Sequence, residues 1–379
     1  MTTPYLETIS SVFHNARDYQ DRTGKGRRRQ FGAFERYDLR NNTLPADTTT
    51  QLFLKTLTRE ILGFIKGSTK IEDLGVHFWR KWSPTEQDID AYIERIKQSV
   101  SETGDEVSKE FFKNEDYVKS MKEGLSEYID TIGPMYGAMW RNFPRVNKFP
   151  LEWVKSVDDI PSDKIAKYKE YFAAEIVMGQ CPERNTKEEF DRFALGLFNQ
   201  TFDQLAMVMK GLKEKPYSSR HRITAFHPDT VGSEDKTPIE NVLAGKAALT
   251  PCHSSIQFMV TDREDEQGEL KKVLNCMFYM SSSDVMIGRP YNVCQYAIMT
   301  ILMAHCLDME PGELIIVSCD THIYLNHLDK VPEQLSRVPL PYPTITLPKD
   351  KKDLYAFTVE DIVINNYTHH PKIAYEVAV

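Results

Sequence analysis

A cysteine between a proline and a histidine opens the stretch PCHSSIQF at residues 251–258. A thiol at such a position can act as a nucleophile, ligate a metal, or fill a small apolar space in the core. Three further clusters carry residue types suited to chemistry: DRTGKG at 21–26, SSSDVMIGRPYN at 281–292 and CDTHIYLNH at 319–327. The three roles of Cys252 therefore have to be weighed together with these clusters.

Hydrophobic periodicity predicts the elements that position the clusters and indicates an α/β chain. Apolar residues recur at helical spacing in 4–20 and in LFLKTLTREILGFI (52–65), where Glu60 is the only acid. From residue 220 onward, short β-rich runs surround one long apolar helix predicted at 292–307. The charge-rich segments 83–131 and 151–216 predict solvated helices. We expect a single catalytic domain, 1–379, with these two segments as helical insertions.

Composition restricts the class of protein. The 379 residues are 41% hydrophobic, which is ample for a large core, and their formal net charge is -8. Nucleic-acid-coating and membrane-surface proteins favour positive charge, so neither partner is expected. The six cysteines contain no CxxC pair, which favours free thiols over a disulfide framework. Because no signal-peptide pattern or 18-residue uncharged apolar stretch occurs, we expect a soluble, cytoplasmic protein.

The order and spacing of the clusters resemble the thymidylate synthase family. The similarity is densest between 251 and 343, through PCH, RPYNVCQYAIMTILMAH, DTHIYLNHLDKVPEQLSR and PLPYP. It continues in the N-terminal half through DRTGKG, REILGFIKG, FWRKW and GPMYGAMWR. The resemblance implies an α/β fold of the thymidylate synthase type, with a large twisted mixed sheet, a long buried helix and outer helices. It also implies a homodimer whose sheets pack back to back.

The resemblance implies catalytic roles for three residues. In the family, the cysteine of PCH, here Cys252, adds to C6 of a pyrimidine nucleotide, and C5 then attacks the one-carbon unit of 5,10-methylenetetrahydrofolate. This folate is the expected co-substrate, and no metal is expected. Glu60 matches the general acid/base, and its alternative is a surface glutamate beside Arg59. Tyr136 matches the tyrosine that assists removal of the C5 proton, and its alternative is a packed aromatic.

The resemblance also implies how the nucleotide is recognised. A carboxamide at Asn292 can accept from N3–H and donate to O4 of uracil, which favours dUMP, although an asparagine there could also cap the following helix. His322 and Tyr324 alternate along an extended segment and match the pair that binds the 3′ hydroxyl. A zinc site at His322 and His327 would need further ligands. Ser282, the serine of the family's QRS motif, is expected to bind the substrate.

The folate pocket implied by the resemblance combines aromatic, aspartate and small residues. Asp284 is expected to hold the pterin ring, and its alternative is a solvated turn aspartate. Without the resemblance, the aromatic members would be interpreted as core. The expected pocket residues are Trp79, Trp82, Leu249, Asp284, Gly288, Tyr291, Ala378 and Val379.

The expected phosphate site departs from the family pattern. Arg22 matches one phosphate-binding arginine, and Arg220 matches one of the pair that the family lends across its dimer interface, the other falling on Ser219. The QRS motif reads MSS at 280–282, so Ser281 replaces an arginine that would contact phosphate and support the thiolate. The missing charge could come from Arg27, Arg28, Arg29, Arg222 or Arg289, or the phosphate could be bound differently.

Two further departures, together with the missing glutamine and arginine of QRS, concern the product. The lysine that meets the folate tail falls on Thr50, and the tryptophan after the helix glutamate falls on Gly63. A pocket that admits water would yield a hydroxymethyl rather than a methyl group. The sequence therefore favours a viral-type dUMP hydroxymethylase, in the host cytoplasm, that forms 5-hydroxymethyl-dUMP. The alternative is thymidylate synthase, which forms dTMP and dihydrofolate, and a third hypothesis is a non-catalytic nucleotide-binding homologue.

Overall fold

The computed structural model describes residues 2–21, 24–104, 106–145, 155–179 and 186–377. Its helices are α1 (Pro4–Asn15), α2 (Leu54–Ile65), α3 (Ile71–Leu74), α4 (Glu86–Thr103), α5 (Glu106–Lys113), α6 (Glu115–Ser126), α7 (Gly137–Arg141), α8 (Ser162–Gly179), α9 (Lys187–Gln200), α10 (Gln204–Glu214), α11 (Pro238–Leu243), α12 (Gly288–Cys306) and α13 (Val331–Ser336). Its strands are β1 (Arg17–Tyr19), β2 (Arg27–Asp38), β3 (Phe143–Pro144), β4 (Thr201–Phe202), β5 (Arg222–Thr224), β6 (His253–Glu264), β7 (Leu270–Asp284), β8 (Glu310–Tyr324), β9 (Thr344–Thr346) and β10 (Val363–Asn365).

A six-stranded mixed sheet organises the larger part of the chain, in the order β1-β2-β8-β7-β6-β5. Strands β7 and β8 pair in parallel, and the remaining neighbours pair antiparallel. A parallel pair needs a crossover connection, and α12 supplies it between β7 and β8. The predicted large mixed sheet with helices around it is confirmed.

Helix α12 is the long buried helix that the sequence predicts. Its sequence is apolar on every side, which suits a helix surrounded by protein, and its residues from Val293 to Ala304 are all buried. It packs on one face of the sheet, where the Tyr296 and Phe278 rings stack 4.0 Å apart. The helix begins at Gly288, four residues before the predicted start at 292. Asn292 therefore lies inside the helix, and the alternative that it is the helix cap is wrong.

The other face of the sheet leaves apolar side chains exposed. Register pairs Phe34 with Val317 and Val317 with Tyr279, so the three share one face. Met277 lies on the same face, because it pairs with Ile315 two residues from Val317. Phe34, Tyr279 and Met277 are 59%, 40% and 44% exposed. This uncovered row contrasts with the opposite face, which α12 covers.

The N-terminal periodicity is interrupted earlier than the sequence predicts. Helix α1 ends at Asn15 instead of extending to residue 20, because Arg17–Tyr19 pairs antiparallel with the start of β2. Helix α2 spans nearly the predicted range and buries one face that includes Glu60. The charge-rich segment 83–131 contains α4, α5 and α6, and α4 begins with a capping box between Thr85 and Asp88.

The chain divides into two compact units, of which residues 141–204 form the smaller one. This unit contains α8, α9 and the short β3–β4 pair, and its core includes Ile160, Tyr168 and Ala194. Buried Arg141 forms an ion pair with Asp203 at 2.7 Å. The smaller unit overlaps the second predicted helical insertion, 151–216. The interpretation of 1–379 as one catalytic domain stays a prediction. Within the described residues, no helix is both long enough and apolar enough to span a bilayer.

Candidate active site

Glu60 is a buried carboxyl at the centre of a hydrogen-bond network. It lies on the buried side of α2, and its oxygens accept from Trp79 Nε1 and Gln295 Nε2, each at 2.5 Å. Burial raises the pKa of Glu60 to about 7, although both hydrogen bonds act in the opposite direction. The alternative of a surface glutamate is wrong, since only 7% of Glu60 is exposed. A carboxyl with this pKa exchanges its proton near neutral pH.

Gln295 links the carboxyl to Asn292. The two amides lie one turn apart on α12, and Asn292 Nδ2 donates to Gln295 Oε1 at 3.2 Å. A chain of hydrogen bonds therefore runs from Asn292 through Gln295 to Glu60. Gln295 was missed by the sequence analysis. A glutamine in an otherwise apolar helix was the available signal, because a buried amide requires partners.

Cys252 lies beside Tyr136 in front of β6. Its backbone N–H donates to the Tyr136 hydroxyl at 3.4 Å, and the Tyr136 ring stacks on the His253 imidazole at 3.8 Å. Nδ1 of His253 lies 2.6 Å from the hydroxyl of Tyr296, and burial lowers the pKa of His253 to about 3. His253 is thus an uncharged support for the tyrosine at neutral pH. The Tyr136 backbone has φ of 38°, a strained value for a residue with a side chain.

The surroundings of Cys252 favour a protonated thiol at neutral pH. Burial raises its pKa to about 11, and the carboxylates of Asp284 and Asp320 add to the increase. The Ser281 N–H and hydroxyl both contact the Cys252 carbonyl, at 2.8 and 3.2 Å. Ser281 therefore fixes the backbone of the cysteine but supplies no positive charge to stabilise a thiolate.

The ends of three strands bring further predicted residues together. His322 pairs with Asp284 of β7 and with Arg29 of β2, and Tyr324 pairs with Arg27. The His322 and Tyr324 rings lie 5.2 Å apart in an edge arrangement, as their alternation along β8 predicts. The paired side chains at these strand ends point to the sheet face that α12 covers, because they alternate in phase with the buried residues of that face.

Asp320 is the ionic centre of this group of strand ends. Its carboxylate forms ion pairs with Arg27 at 2.9 Å and with Arg29 at 3.1 Å, and Ser282 Oγ lies 3.5 Å from Asp320 Oδ2. Burial opposes ionisation of Asp320, yet His322 and the two arginines lower its pKa below the ordinary value. Asp320 is ionised at neutral pH, and the sequence analysis did not single it out. The available signal was the run of three arginines, RRR, at 27–29.

Trp79, one of the expected folate residues, belongs to the Glu60 network, and Trp82 packs beside it. Trp79 and Trp82 are buried with ring centroids 5.5 Å apart, and Trp79 is 6.4 Å from Tyr136. A β-carbon added to Gly288 would lie 3.8 Å from the Asn292 oxygen, so the open space beside Gly288 adjoins that amide. Leu249 and Tyr291 are half-buried.

Asp284 is anchored at the start of α12. Its Oδ1 accepts from the N–H groups of Met286 and Ile287, at 3.0 and 3.3 Å, and the residue is half-buried. These bonds fix the carboxylate in orientation and are also those of a turn aspartate, so its role toward the folate stays a prediction. Ala378, Val379 and the phosphate candidate Arg22 lie outside the described residues.

The arginines that the sequence suggests as phosphate ligands differ in location and in partners. Arg289 is completely buried and paired with Glu35 at 2.8 Å, so it is unavailable to a ligand. Arg28 binds Asp18 at 2.7 Å on the opposite sheet face. Arg222 is exposed and donates to Gln257 at 3.0 Å, and Arg220 is exposed just before β5.

Comparison with known proteins establishes the family. The sequence model described as Thymidylate synthase matches residues 3–379. The chain belongs to the thymidylate synthase family. A protein from Rhizobium rhizogenes named thymidylate synthase is 32% identical over 379 residues, covering 99% of this chain and 97% of that protein. Proteins of the same name from Sinorhizobium fredii and Francisella tularensis subsp. holarctica are 29% and 27% identical, covering 99% of this chain and 97% and 99% of the relatives.

Family membership confirms the resemblance drawn from the motifs. The relatives just named are bacterial and share the name of the methyl-forming enzyme, so they lend no support to a viral hydroxymethylase. Thymidylate synthases use methylenetetrahydrofolate as co-substrate. No metal-binding group of three or more His, Cys, Asp or Glu residues occurs among the residues that the structure describes. His327, the second residue of the zinc alternative, lies with Nε2 2.7 Å from the carbonyl of Glu376.

Proposed function

We propose that the protein is a thymidylate synthase that methylates C5 of dUMP, using 5,10-methylenetetrahydrofolate and releasing dTMP and dihydrofolate. The observation that carries the proposal is the placement of a thiol, a phenol, a neutral-pH carboxyl and a base-reading amide around one site. These groups are Cys252, Tyr136, Glu60 and Asn292, from four separate parts of the chain. Family membership over 3–379 supports the same reaction.

Cys252 is the proposed nucleophile. Its sulfur forms a bond to C6 of the uracil, the C5–C6 π electrons become available at C5, and the thiol proton leaves to a base. When the product forms, the same C–S bond breaks and regenerates the thiol. A pKa of about 11 means that the thiol must lose its proton as the nucleotide binds and adds.

Glu60 and Tyr136 are the proposed proton carriers. Glu60, with a pKa of about 7, can give a proton to the O4 side of the base and take one back at neutral pH. Burial raises the pKa of Tyr136 well above its ordinary value, so its hydroxyl keeps its proton and can order a water near C5. One amide hydrogen of Asn292 is donated to Gln295. Its second amide hydrogen can be donated to O4 of the base, and its amide oxygen can accept from N3–H.

The residues around Trp79, Asp284 and Gly288 are the proposed folate site. The folate supplies the one-carbon unit and the hydride that reduces it to a methyl group. The Trp79 and Trp82 rings offer an apolar wall, and the anchored Asp284 carboxylate offers an acceptor for ring N–H groups. Tyr291 would add an aromatic edge, and Leu249 an apolar side chain, to this pocket.

The environment of Gly63 and Thr50 supports the methyl product over the hydroxymethyl product. A β-carbon on Gly63 would lie 2.8 Å from Leu74 Cδ2, so Leu74 of α3 lies where the absent side chain would begin. Thr50 is buried, and its hydroxyl accepts from the Ile373 N–H at 2.8 Å. Protein atoms therefore contact both positions at which the sequence lacks a bulky side chain of the family.

Product analysis tests the proposal. The full chain is incubated with dUMP and methylenetetrahydrofolate, the nucleotide is identified by mass spectrometry, and dihydrofolate is followed by absorbance. We expect dTMP and dihydrofolate in equal amounts, and none from Cys252→Ala. 5-Hydroxymethyl-dUMP without dihydrofolate would refute the methyl product. Binding of a 5-fluoro analogue with folate but without a covalent adduct would identify a non-catalytic homologue.

We further propose that the chain is a homodimer. The exposed row of Phe34, Met277 and Tyr279 is apolar and lies on the sheet face opposite α12. A second copy packed on this row would remove the apolar area from water on both chains. Arg220, exposed at the start of the adjoining edge strand, is the residue proposed to reach the partner's nucleotide. A shared site would make activity depend on association.

A further inference from the structure

Strand β2 carries two arginines on the face of the proposed nucleotide site. Register places Arg27 opposite Tyr324 and Arg29 opposite His322, and side chains directly opposite in an antiparallel pair share a face. Arg28, between them, points to the other face and binds Asp18. Arg27 and Arg29 therefore stand beside the two residues proposed to bind the sugar.

Both guanidinium groups form ion pairs with Asp320, which lies next to the segment 280–282, where Ser281 replaces the family's arginine. Asp320 pairs with Ser282 across β7 and β8, and Ser282 directly follows Ser281. The two guanidinium groups carry one more charge than the Asp320 carboxylate that pairs with them. Ion pairs at 2.9 and 3.1 Å fix the positions of Arg27 and Arg29 before any ligand arrives.

The two arginines keep donors for an additional partner. Each guanidinium group has five N–H donors, and the ion pairs with Asp320 use few of them. The Arg27 side chain is 23% exposed and the Arg29 side chain 40%, so ligands can reach both. Nε of Arg27 is buried without a hydrogen-bond partner. A planar fork with spare N–H groups matches the geometry of phosphate oxygens.

We propose that Arg27 and Arg29 bind the 5′-phosphate of the nucleotide in place of the arginine absent at Ser281, with Asp320 as the positioning residue for both. The inference rests on the proposed function, because it takes dUMP as the substrate. Arg289 cannot serve, since its guanidinium is buried against Glu35.

Calorimetric titration with dUMP and with deoxyuridine, without folate, tests the inference. The measured quantity is the ratio of the two affinities for the full-length protein, the double variant R27Q/R29Q and the control R28Q. Charge-assisted bonds to phosphate are worth enough that the double variant should bind dUMP about 10–100-fold more weakly. Its affinity for deoxyuridine should not change. R28Q removes one positive charge from the opposite face of the same strand and should keep the wild-type ratio.

A double variant that keeps the wild-type ratio overturns the inference. Circular dichroism melting checks that the variants fold. If R27Q/R29Q does not fold, R27K/R29K retains the charges that satisfy Asp320 but loses the fork, and an unchanged ratio would again overturn the inference. Failure of the proposed function looks different: the wild-type protein would prefer dUMP to deoxyuridine yet release no methylated product.

Discussion

At the scale of single residues, the burial of Glu60 determines when it can exchange a proton. Desolvation disfavours its charged form, while the N–H groups of Trp79 and Gln295 favour it, and the resulting pKa is about 7. Removing one donor therefore raises the pKa further, because the carboxylate loses a stabilising bond while the protonated form loses less. The position of this carboxyl on the pH scale is set by its partners as well as by its depth.

Trp79→Phe should shift the pH dependence of turnover. A hydrogen bond to a charged group is worth about 1.5–3 kcal/mol, so the inflection near pH 7 should move upward by roughly one pH unit or more. The measurement is kcat against pH at saturating dUMP and folate. Trp82→Phe is the matched control, because Trp82 packs 5.5 Å from Trp79 without a bond to Glu60. An inflection at the same pH in both variants would contradict the assignment to Glu60.

At the scale of elements, helix α3 packs closely against α2 at Gly63. Gly63 lies in the last turn of α2, and glycine within a helix costs up to roughly 1 kcal/mol relative to alanine. Its absent side chain allows Leu74 of α3 to approach the α2 backbone. Gly137 plays a similar part, since a β-carbon there would lie 2.3 Å from the carbonyl oxygen of Phe64. Close approach of backbones therefore positions both Glu60 and Tyr136.

Gly63→Leu should destabilise the protein by overpacking, and Leu74→Ala should compensate. We expect the single variant to lower the free energy of unfolding by about 1–3 kcal/mol. In the double variant Gly63→Leu/Leu74→Ala, the loss should be smaller than the sum of the two single losses. Urea denaturation of the four proteins measures both quantities. Additive losses would show that the two side chains do not compete for one space.

The elements themselves were largely predictable, whereas their partners were not. The apolar run of α12 and the β-rich runs around it are local patterns, and the motifs around Cys252 and His322 carried the family resemblance. The pairing of Arg289 with Glu35 joins residues 254 positions apart, so no local pattern indicates that this arginine is unavailable. The filling of the Gly63 space by Leu74 is likewise a tertiary contact. The expectation of a hydroxymethyl product rested in part on Gly63, together with Met280, Ser281 and Thr50, and no local pattern shows which side chains contact these positions.

At the scale of the whole molecule, the uncovered sheet face links association to activity. The face that α12 covers holds the proposed site, while the face with Phe34, Met277 and Tyr279 is exposed in a single chain. Arg220 and Arg222 lie near the edge strand β5 of the same sheet. If a second copy covers this face, charge from one chain can contribute to the phosphate site of the other. Loss of the dimer would then weaken nucleotide binding without altering Cys252.

The double substitution Met277→Lys/Tyr279→Lys should separate the dimer. Two lysines on each chain would place four positive charges in a desolvated apolar interface, which is unfavourable because none has a partner there. Light scattering coupled to gel filtration should give twice 43.8 kDa for the wild-type protein and 43.8 kDa for the variant. Val363→Lys is the control, since Val363 is 51% exposed on β10, outside the six-stranded sheet. A variant that stays dimeric would place the interface elsewhere. A monomeric variant that keeps full affinity for dUMP would show that Arg220 of a partner is dispensable and that Arg27 and Arg29 of the same chain suffice for the phosphate.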